Sequence, residues 1–288
     1  EVIVPNYTMI ATPNSIKLFG AVPVFVDVEP ETLCLDLSLV EKAITNKTKG
    51  IILVSANGRY PKSSIGAFER LCKENNLILI EDAAQSLGSF YPDGRHIGTS
   101  GLIGSFSFSA PKIISTGQGG AVVTNDDKIA LKIRKLKDFG RVNGGNDTHD
   151  EIGFNFKFTE LQACIGIEQM KKLSWRVQRK KEIYRLYQSE LSSVNEVSFF
   201  KQDLSTSAPW FMDVLAKNRN ELQFFLKEKN IGTRVMYPPI NSQLAYLVQG
   251  NYPISFNVGE NGLWLPSMSQ LTNNEIIKIT DSIKDFYK

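Results

Sequence analysis

Lys112 and Asp82 are the two ionisable residues whose positions predict shared chemistry. Lys112 closely follows a short strand-like segment, Gly104–Phe108, and Asp82 comes just after the aliphatic run Leu77–Ile80. Open α/β sheets bind ligands where the carboxyl ends of their strands meet, so we expect both side chains at one crevice. Pyridoxal phosphate (PLP) chemistry requires two such residues: a lysine that forms a Schiff base, and an aspartate that keeps the pyridine nitrogen protonated.

Each residue also has a simpler interpretation. Asp82 is suited to cap a helix that begins at Ala83, and Lys112 is suited to be a surface lysine in a turn. The Gly117–Gly120 segment fits a turn with positive φ, and small residues near Lys112 would let a flat ring approach the backbone. The glycine patterns that bind nucleotides are not supported, because Gly117–Gly120 runs into a strand and no G-x-x-x-x-G-K-[ST] occurs.

The composition narrows the class of protein. The 288 residues are 42% hydrophobic and 22% charged, which is typical of a globular protein. The formal net charge of +3 gives no reason to expect nucleic acid or a membrane as a partner. The three separated cysteines, Cys34, Cys72 and Cys164, favour a reducing cytoplasm over a disulfide framework. Two histidines, His96 and His149, do not suggest a metal site, so none is predicted.

The first half of the chain alternates aliphatic runs with helical patterns. Continuous aliphatic strands separated by helices predict a mainly parallel sheet that helices cover on both faces. The predicted strands cover residues 1–4, 23–27, 50–54 and 77–80, and the predicted helices cover residues 11–20, 38–44 and 65–75. Since the chain opens inside a strand, we expect that an N-terminal segment is missing from the large domain.

The second half begins with a helix signal. Thr159 and Gln162 have the spacing of a capping box, and a long helix is expected to run from there to about Leu191. A strand at 210–215, a helix after Asn220 and a last helix from Thr272 predict a smaller α+β unit. The predicted domains are therefore a large cofactor-binding domain at 1–175 and a linking helix with a small C-terminal domain at 176–288.

Four stretches resemble a known family. They are VIVPNYTMIATPNSI, GAVPVFVDVEPETLCLD, the block from IEDAAQSLG to GGAVVTND that contains Lys112, and GFNFKFTELQACIGIEQMKKL. They look like the DegT/StrS-type sugar aminotransferases, which are fold-type I PLP enzymes that aminate nucleotide-linked keto sugars. The resemblance implies a large α/β domain with a mainly parallel sheet and a smaller C-terminal α+β domain.

The resemblance also implies roles for individual residues. Lys112 would form the Schiff base with PLP, and Asp82 would bind the pyridinium nitrogen. Gln85 would lie near the 3-hydroxyl oxygen of the cofactor, and Ser107 would bind its phosphate. Asn155 would reach the phosphate site of the other subunit, because family members form homodimers with shared active sites.

Three departures from the family pattern affect these expectations. The phosphate-binding turn that precedes the first strand in the family is absent here. Met9 stands where many members have an aromatic residue that stacks on the ring, although Met9 also fits an ordinary core position. Asn241 replaces a frequent histidine on the sugar side. The polar loop Arg141–Asp150 is expected either near the dimer interface or simply in solvent.

The resemblance predicts the reaction as well. The expected reaction moves an amino group from L-glutamate to a nucleotide-linked keto-deoxy sugar, in surface polysaccharide or glycoside biosynthesis. One alternative is a PLP-dependent keto-sugar dehydratase-like enzyme, but the related dehydrating enzymes have histidine in place of Lys112. A second alternative is a non-catalytic, regulatory member of the family.

Overall fold

A computed structural model describes residues 1–143, 145 and 147–288. The strands are β1 (Val2–Pro5), β2 (Pro23–Val26), β3 (Gly50–Val54), β4 (Ile78–Asp82), β5 (Ile103–Ser107), β6 (Gly120–Val123), β7 (Val197–Phe199), β8 (Met212–Ala216), β9 (Arg234–Val235) and β10 (Gly262–Leu265). The helices are α1 (Ala11–Lys17), α2 (Leu37–Ala43), α3 (Ile65–Glu74), α4 (Asp127–Leu136), α5 (Glu160–Met170), α6 (Leu173–Glu190), α7 (Arg219–Glu228), α8 (Pro253–Asn261) and α9 (Asn273–Phe286).

Strands β1 to β6 form one sheet in the order β2-β1-β3-β4-β5-β6. The first five strands are parallel, and β6 pairs antiparallel with β5. The carboxyl ends of β1, β3, β4 and β5 therefore lie along one edge of the sheet. This arrangement confirms the predicted α/β class with a mainly parallel sheet.

The large sheet is buried because its central strands are aliphatic on both faces. On one face Ile51 and Leu53 pack in a core with Phe68 of α3 and Val40 of α2. On the opposite face, β1 and β2 pack against Ile16 of α1. Burial of side chains on both faces explains why β3 reads as an unbroken apolar run rather than an alternating one.

The second sheet is antiparallel, in the order β7-β8-β10-β9. Its core contains Ile183 and Tyr187 of α6 together with Ile276 and Ile283 of α9, all fully buried. The capping box at Thr272 and Glu275 forms at the start of α9 as predicted. This sheet lies entirely in 176–288, and we propose the same division, 1–175 and 176–288, as the domain boundary.

The long helix predicted after Thr159 is two helices. Thr159 and Gln162 do form the predicted capping box of α5. The break follows Met170, where the Lys172 N–H bonds the Gln169 carbonyl at 3.0 Å, three residues back instead of four. This tighter turn ends α5 before α6 begins, so the prediction of one continuous helix is wrong.

The predicted loop at 141–150 is only partly described. Gly144 and Asn146 lie outside the described residues, and Arg141 pairs with His149 in an isolated antiparallel bridge. In the described part of the chain, no helix is both long and apolar enough to cross a membrane.

A buried ion pair joins the two sheets. The Arg59 guanidinium, shortly after β3, lies 2.7 Å from an Asp213 carboxylate oxygen on β8, and their side chains are only 3% and 2% exposed. Arg59 also donates to the Thr32 carbonyl at 2.8 Å, and Asp213 accepts from the Asn57 amide at 2.8 Å. Because both charges are out of water, each depends on the other for compensation.

We expect Asp213→Asn to lower the free energy of unfolding by about 3–5 kcal/mol, because it leaves the Arg59 charge buried and unpaired. Urea unfolding followed by circular dichroism measures the change. The matched control is Glu190→Gln, which removes the half-exposed carboxylate that lies 2.9 Å from Lys284. That change is expected to cost about 1 kcal/mol or less. Equal losses for the two variants would contradict the structural role assigned to the buried pair.

Candidate active site

The carboxyl edge of the parallel sheet carries most of the predicted site residues. Met9 follows β1, Asp82 ends β4 and Ser107 ends β5. Lys112 lies in the turn after β5, where its N–H bonds the Ser109 carbonyl at 3.0 Å. The structure therefore places these residues after strands that end at the same rim of the sheet.

Lys112 has a half-buried amine. Its Nζ lies 3.7 Å from the centre of the Trp210 ring. Burial lowers the pKa of the Lys112 amine to about 8, although the Asp82 carboxylate acts in the opposite direction. A lysine with this pKa supplies far more neutral, nucleophilic amine near pH 8 than a surface lysine does.

A small cavity lies beside Lys112. Its volume is about 10 Å³, and its lining includes Gln85, Ser107, Lys112 and Trp210. Lys112 itself lies along the wall over the Trp210 ring, so the lysine side chain fills space beside Gln85 and Ser107. The cavity places three of the predicted site residues in contact with a common space.

The Asp82 carboxylate is fixed by two donors. The Thr12 hydroxyl donates to its Oδ2 at 2.7 Å, and the Ala84 N–H donates to its Oδ1 at 3.2 Å. The simpler interpretation of Asp82 as a helix cap is wrong, because residues 83–88 form turns rather than a helix. Thr12 belongs to α1, so this helix orients the carboxylate from across the sheet edge.

Glu81, the residue before Asp82, has a structural role. Its fully buried carboxylate accepts from the Tyr91 hydroxyl at 2.6 Å and from the N–H groups of Gly98 at 2.9 Å and Gly101 at 2.6 Å. Successive strand residues point to opposite faces, so Glu81 holds the connection to β5 while Asp82 reaches the rim. Its position inside β4 next to Asp82 was the available signal, but the sequence analysis assigned it no role.

Gln85 is held by a residue that the sequence analysis missed. Its side-chain oxygen accepts from the Asn57 N–H at 2.8 Å. Asn57 follows β3 with φ of 53°, a left-handed conformation that asparagine tolerates better than most residues. The Asn57-Gly58 pair directly after an aliphatic strand was the available signal. Because the Gln85 oxygen accepts from Asn57, its amide NH₂ is the group that can donate to a further partner.

The small residues around Lys112 have structural causes. The Ser107 hydroxyl donates to the Ser109 hydroxyl at 3.2 Å. A Cβ on Gly119 would lie 2.4 Å from the Phe158 ring, and one on Gly120 would lie 2.4 Å from the Phe106 carbonyl oxygen. Gly119 also has φ of +139°, in keeping with the predicted positive-φ turn. These two glycines are therefore required by packing of the protein itself, and room for a flat ring is not needed to explain them.

Met9 and Asn155 lie outside the Lys112 cavity. Met9 lies just before α1 and is 45% exposed, and its sulfur accepts from the Ala11 N–H at 3.0 Å. Asn155 is exposed and forms an isolated bridge with Asp138. An exposed Asn155 is compatible with a contact to a second subunit, which stays a prediction.

Asn241 is a structural residue. It is buried, and its side-chain oxygen accepts from the Asn6 amide at 2.8 Å while its N–H donates to the Asn6 side-chain oxygen at 2.9 Å. Asn6 directly follows β1, so this pair ties the 240–242 turn to the sheet edge. The side chain that replaces the family histidine is thus committed to the fold.

The residues at this rim fit PLP. A lysine amine with a pKa of about 8 suits reaction with the cofactor aldehyde, and the Asp82 carboxylate suits a protonated ring nitrogen. Ser107 adds a hydroxyl on the wall of the same cavity, where a phosphate oxygen can accept from it.

Comparison with known proteins agrees with this chemistry. The model of the DegT/DnrJ/EryC1/StrS aminotransferase family matches residues 1–284. The chain is 37% identical over 291 residues to the GDP-perosamine synthase of Escherichia coli O157:H7, a match that covers 100% of the chain and 79% of that relative.

Solved structures agree as well. The fold is similar to that of S. venezuelae DesV in complex with a ketimine intermediate, with a TM-score of 0.93, 29% identity and coverage of 100% and 78% of the two chains. It is also similar to the PLP form of the putative sugar aminotransferase Spr1654 from Streptococcus pneumoniae, with a TM-score of 0.91, 25% identity and coverage of 99% and 80%. The chain therefore belongs to the DegT/DnrJ/EryC1/StrS aminotransferase family and is a PLP-dependent aminotransferase.

Proposed function

We propose that this chain transfers an amino group from L-glutamate to the keto group of a nucleotide-linked deoxy sugar, for surface polysaccharide or glycoside biosynthesis. The observation that carries the proposal is the half-buried Lys112 amine. Lys112 lines one cavity with Gln85 and Ser107, and the negative charge of Asp82 raises the pKa of its amine, against the effect of burial. The name of the 37% identical relative, a GDP-perosamine synthase, supports a nucleotide-linked amino sugar as the product.

Lys112 would act as both attachment point and proton carrier. When bound, PLP supplies the carbonyl carbon that takes up the amino group and a ring that withdraws electrons from the reacting carbon. Once its amine is free, Lys112 can take a proton at Nζ from the substrate carbon and return it one position away. A pKa of about 8 places this amine between its acid and base forms near neutral pH.

Asp82 and Gln85 would fix the ring. The Asp82 carboxylate, held by Thr12 and Ala84, would keep a proton on the ring nitrogen. The free NH₂ of Gln85 would donate to the 3-hydroxyl oxygen, since its own oxygen is held by Asn57. Ser107 would donate to the phosphate, and Met9 would pack on the ring from the segment before α1.

The presence of Lys112 favours amino transfer over sugar dehydration. A transaminase needs a lysine amine that can be released and act as a base, and the related dehydrating enzymes have histidine at this position. A regulatory role without catalysis would require no amine with a lowered pKa at the rim.

The active form would be a homodimer in a reducing cytoplasm. No residue of α5 is buried although the helix includes Leu161 and Ile165, which are 80% and 50% exposed. Phe156, next to Asn155, is 70% exposed. Exposed apolar side chains of this kind fit contact with a second copy of the chain, which would bring Asn155 to the partner's phosphate site. The three free cysteines fit a reducing compartment.

Transfer of ¹⁵N from labelled L-glutamate to a nucleotide-linked keto sugar, followed by mass spectrometry, tests the reaction. We expect transfer by the unmodified chain and a loss of about 10²- to 10⁴-fold in Lys112→Ala, because the proton carrier is removed. We expect Asp82→Asn to lower the rate by about 10²-fold or more, because the charge opposite the ring nitrogen is lost.

The matched control is Asp126→Asn. Asp126 also accepts backbone N–H bonds, from Lys128 at 2.8 Å and Ile129 at 3.0 Å, but it caps α4. The Asp126→Asn variant should keep the rate of amino transfer and show a lower free energy of unfolding. Full activity in Lys112→Ala, or no transfer by the unmodified chain with any nucleotide-linked keto sugar, would refute the proposed reaction.

We expect Leu161→Glu to convert the dimer to a monomer, because it places a charge in the proposed apolar interface. Analytical ultracentrifugation measures the change, and amino transfer should fall with it because Asn155 no longer completes a partner's site. Phe224→Glu is the control, since Phe224 is 64% exposed on α7, outside the interface. A monomeric unmodified chain, or a dimer that survives Leu161→Glu, would show that α5 is not the interface.

A further inference from the structure

Trp210 lies against the reactive lysine, yet the resemblance to the family assigns it no role. It is 4% exposed and comes from the segment just before β8, in the C-terminal part of the chain. Its ring centre lies 3.7 Å from the Lys112 Nζ, well within the range of a cation–π contact. The amine therefore lies against the face of an aromatic ring.

The polar groups of Trp210 all have partners. Its backbone N–H donates to the Asn57 side-chain oxygen at 2.8 Å, and its carbonyl accepts from the Lys180 amine at 2.7 Å. Its indole N–H donates at 2.6 Å to the carbonyl of Pro111, the residue before Lys112. The Phe211 ring stacks on it with centres 3.9 Å apart. These contacts fix the orientation of the Trp210 ring.

Two of these contacts act on Lys112 from both ends. The indole N–H fixes the turn from which the lysine extends, and the indole face meets the amine at its tip. A residue that served only to fill space would need neither contact. The arrangement defines one resting position for an amine that must alternate between a bonded and a free state.

We propose that Trp210 is a positioning residue for Lys112, and that its indole face binds the lysine ammonium that forms when the free amine takes up a proton. This inference rests on Lys112 being the reacting amine of the proposed function. The negative face of the ring stabilises the protonated amine, which burial alone disfavours. Trp210 would thus hold the protonated amine near its site of action until the amine gives the proton up.

The other charged groups near the amine do not replace this contact. Asp82 on β4 attracts the ammonium, and the described contacts of its carboxylate are to Thr12 and Ala84. On α6, Arg176 donates to the Ile113 carbonyl at 2.9 Å, and Lys180 donates to the carbonyls of Trp210 and Ser267. Neither of these α6 side chains carries a negative charge, so neither compensates the Lys112 ammonium.

The test measures the pKa of Lys112 in the full chain freed of cofactor. Brief acetylation with acetic anhydride at a series of pH values modifies only neutral amines, and mass spectrometry reports the rate at Lys112. We expect an apparent pKa of about 8 in the unmodified chain. In Trp210→Leu the pKa should fall by about half a unit to one and a half units, since the ammonium loses the ring face.

Trp210→Phe should lie between the two, because it keeps an aromatic face but loses the indole N–H. The control is Trp175→Leu, which removes a 54% exposed tryptophan on α6 and should leave the pKa of Lys112 unchanged. An unchanged or raised pKa in Trp210→Leu would overturn the proposal, because loss of packing alone admits water and raises the pKa.

The effect on the contact can be separated from effects on folding and on amino transfer. If Trp210→Leu does not fold by circular dichroism, the comparison of Trp210→Phe with the unmodified chain decides, and an equal pKa refutes the contact. The labelling needs neither cofactor nor sugar, so an absence of amino transfer would leave its result standing. Failure of the proposed function and failure of this contact are therefore distinguishable.

Discussion

The burial of one amine, that of Lys112, sets the requirements for the rest of the site. An ammonium taken out of water must meet compensating groups or lose its proton. The protein supplies a carboxylate at the end of β4 and an aromatic face from the segment before β8. The carboxylate comes from the large sheet, and the ring comes from the segment that leads into the second sheet. The protonation of Lys112 therefore depends on how the two sheets are held together.

Asn57 is the residue through which the two sheets meet at the site. Its side-chain oxygen accepts from the N–H groups of Trp210 at 2.8 Å and Phe211 at 2.7 Å, and its amide donates to Asp213 at 2.8 Å. Its backbone N–H reaches Gln85. Asn57 thus connects Gln85 at the cavity to Trp210 and to β8. Its left-handed backbone lets the side chain and the main-chain N–H reach these different partners at the same time.

The same connection limits how the two parts of the chain can move. The buried Arg59–Asp213 pair lies beside Asn57, and separation of the two sheets would expose both charges without partners. A site that must hold a flat cofactor between fixed groups benefits from such rigidity, because small displacements of catalytic groups cost large factors in rate. The flexibility that catalysis needs is then left to the Lys112 side chain itself.

The sequence predicts the parts of this site that are encoded locally. Continuous aliphatic runs predict the parallel strands, and residues just after them, Asp82 and Lys112, are predicted at the shared edge. The capping boxes before α5 and α9 are also local signals, and both form. The break between α5 and α6 was missed because both lysines at the turn are good helix formers.

Trp210 and Lys180 could not be predicted in the same way. Trp210 meets the turn of Lys112 across 99 residues of chain, and Lys180 meets Trp210 across 30. In sequence, Trp210 reads as one more apolar strand residue and Lys180 as part of a charged surface helix. Only the packing of α6 on the segment before β8 shows that Lys180 is buried, where burial lowers the pKa of its amine to about 7.

Two lysines with lowered pKa values, the half-buried Lys112 and the buried Lys180, therefore lie near the same tryptophan. The account depends on which of them bonds the cofactor. Borohydride reduction of the PLP-loaded chain followed by peptide mapping identifies that lysine. The account predicts a single pyridoxyl label on Lys112, whose amine faces the cavity beside Gln85 and Ser107. A label on Lys180, which donates to two main-chain carbonyls, or on any other lysine would contradict it.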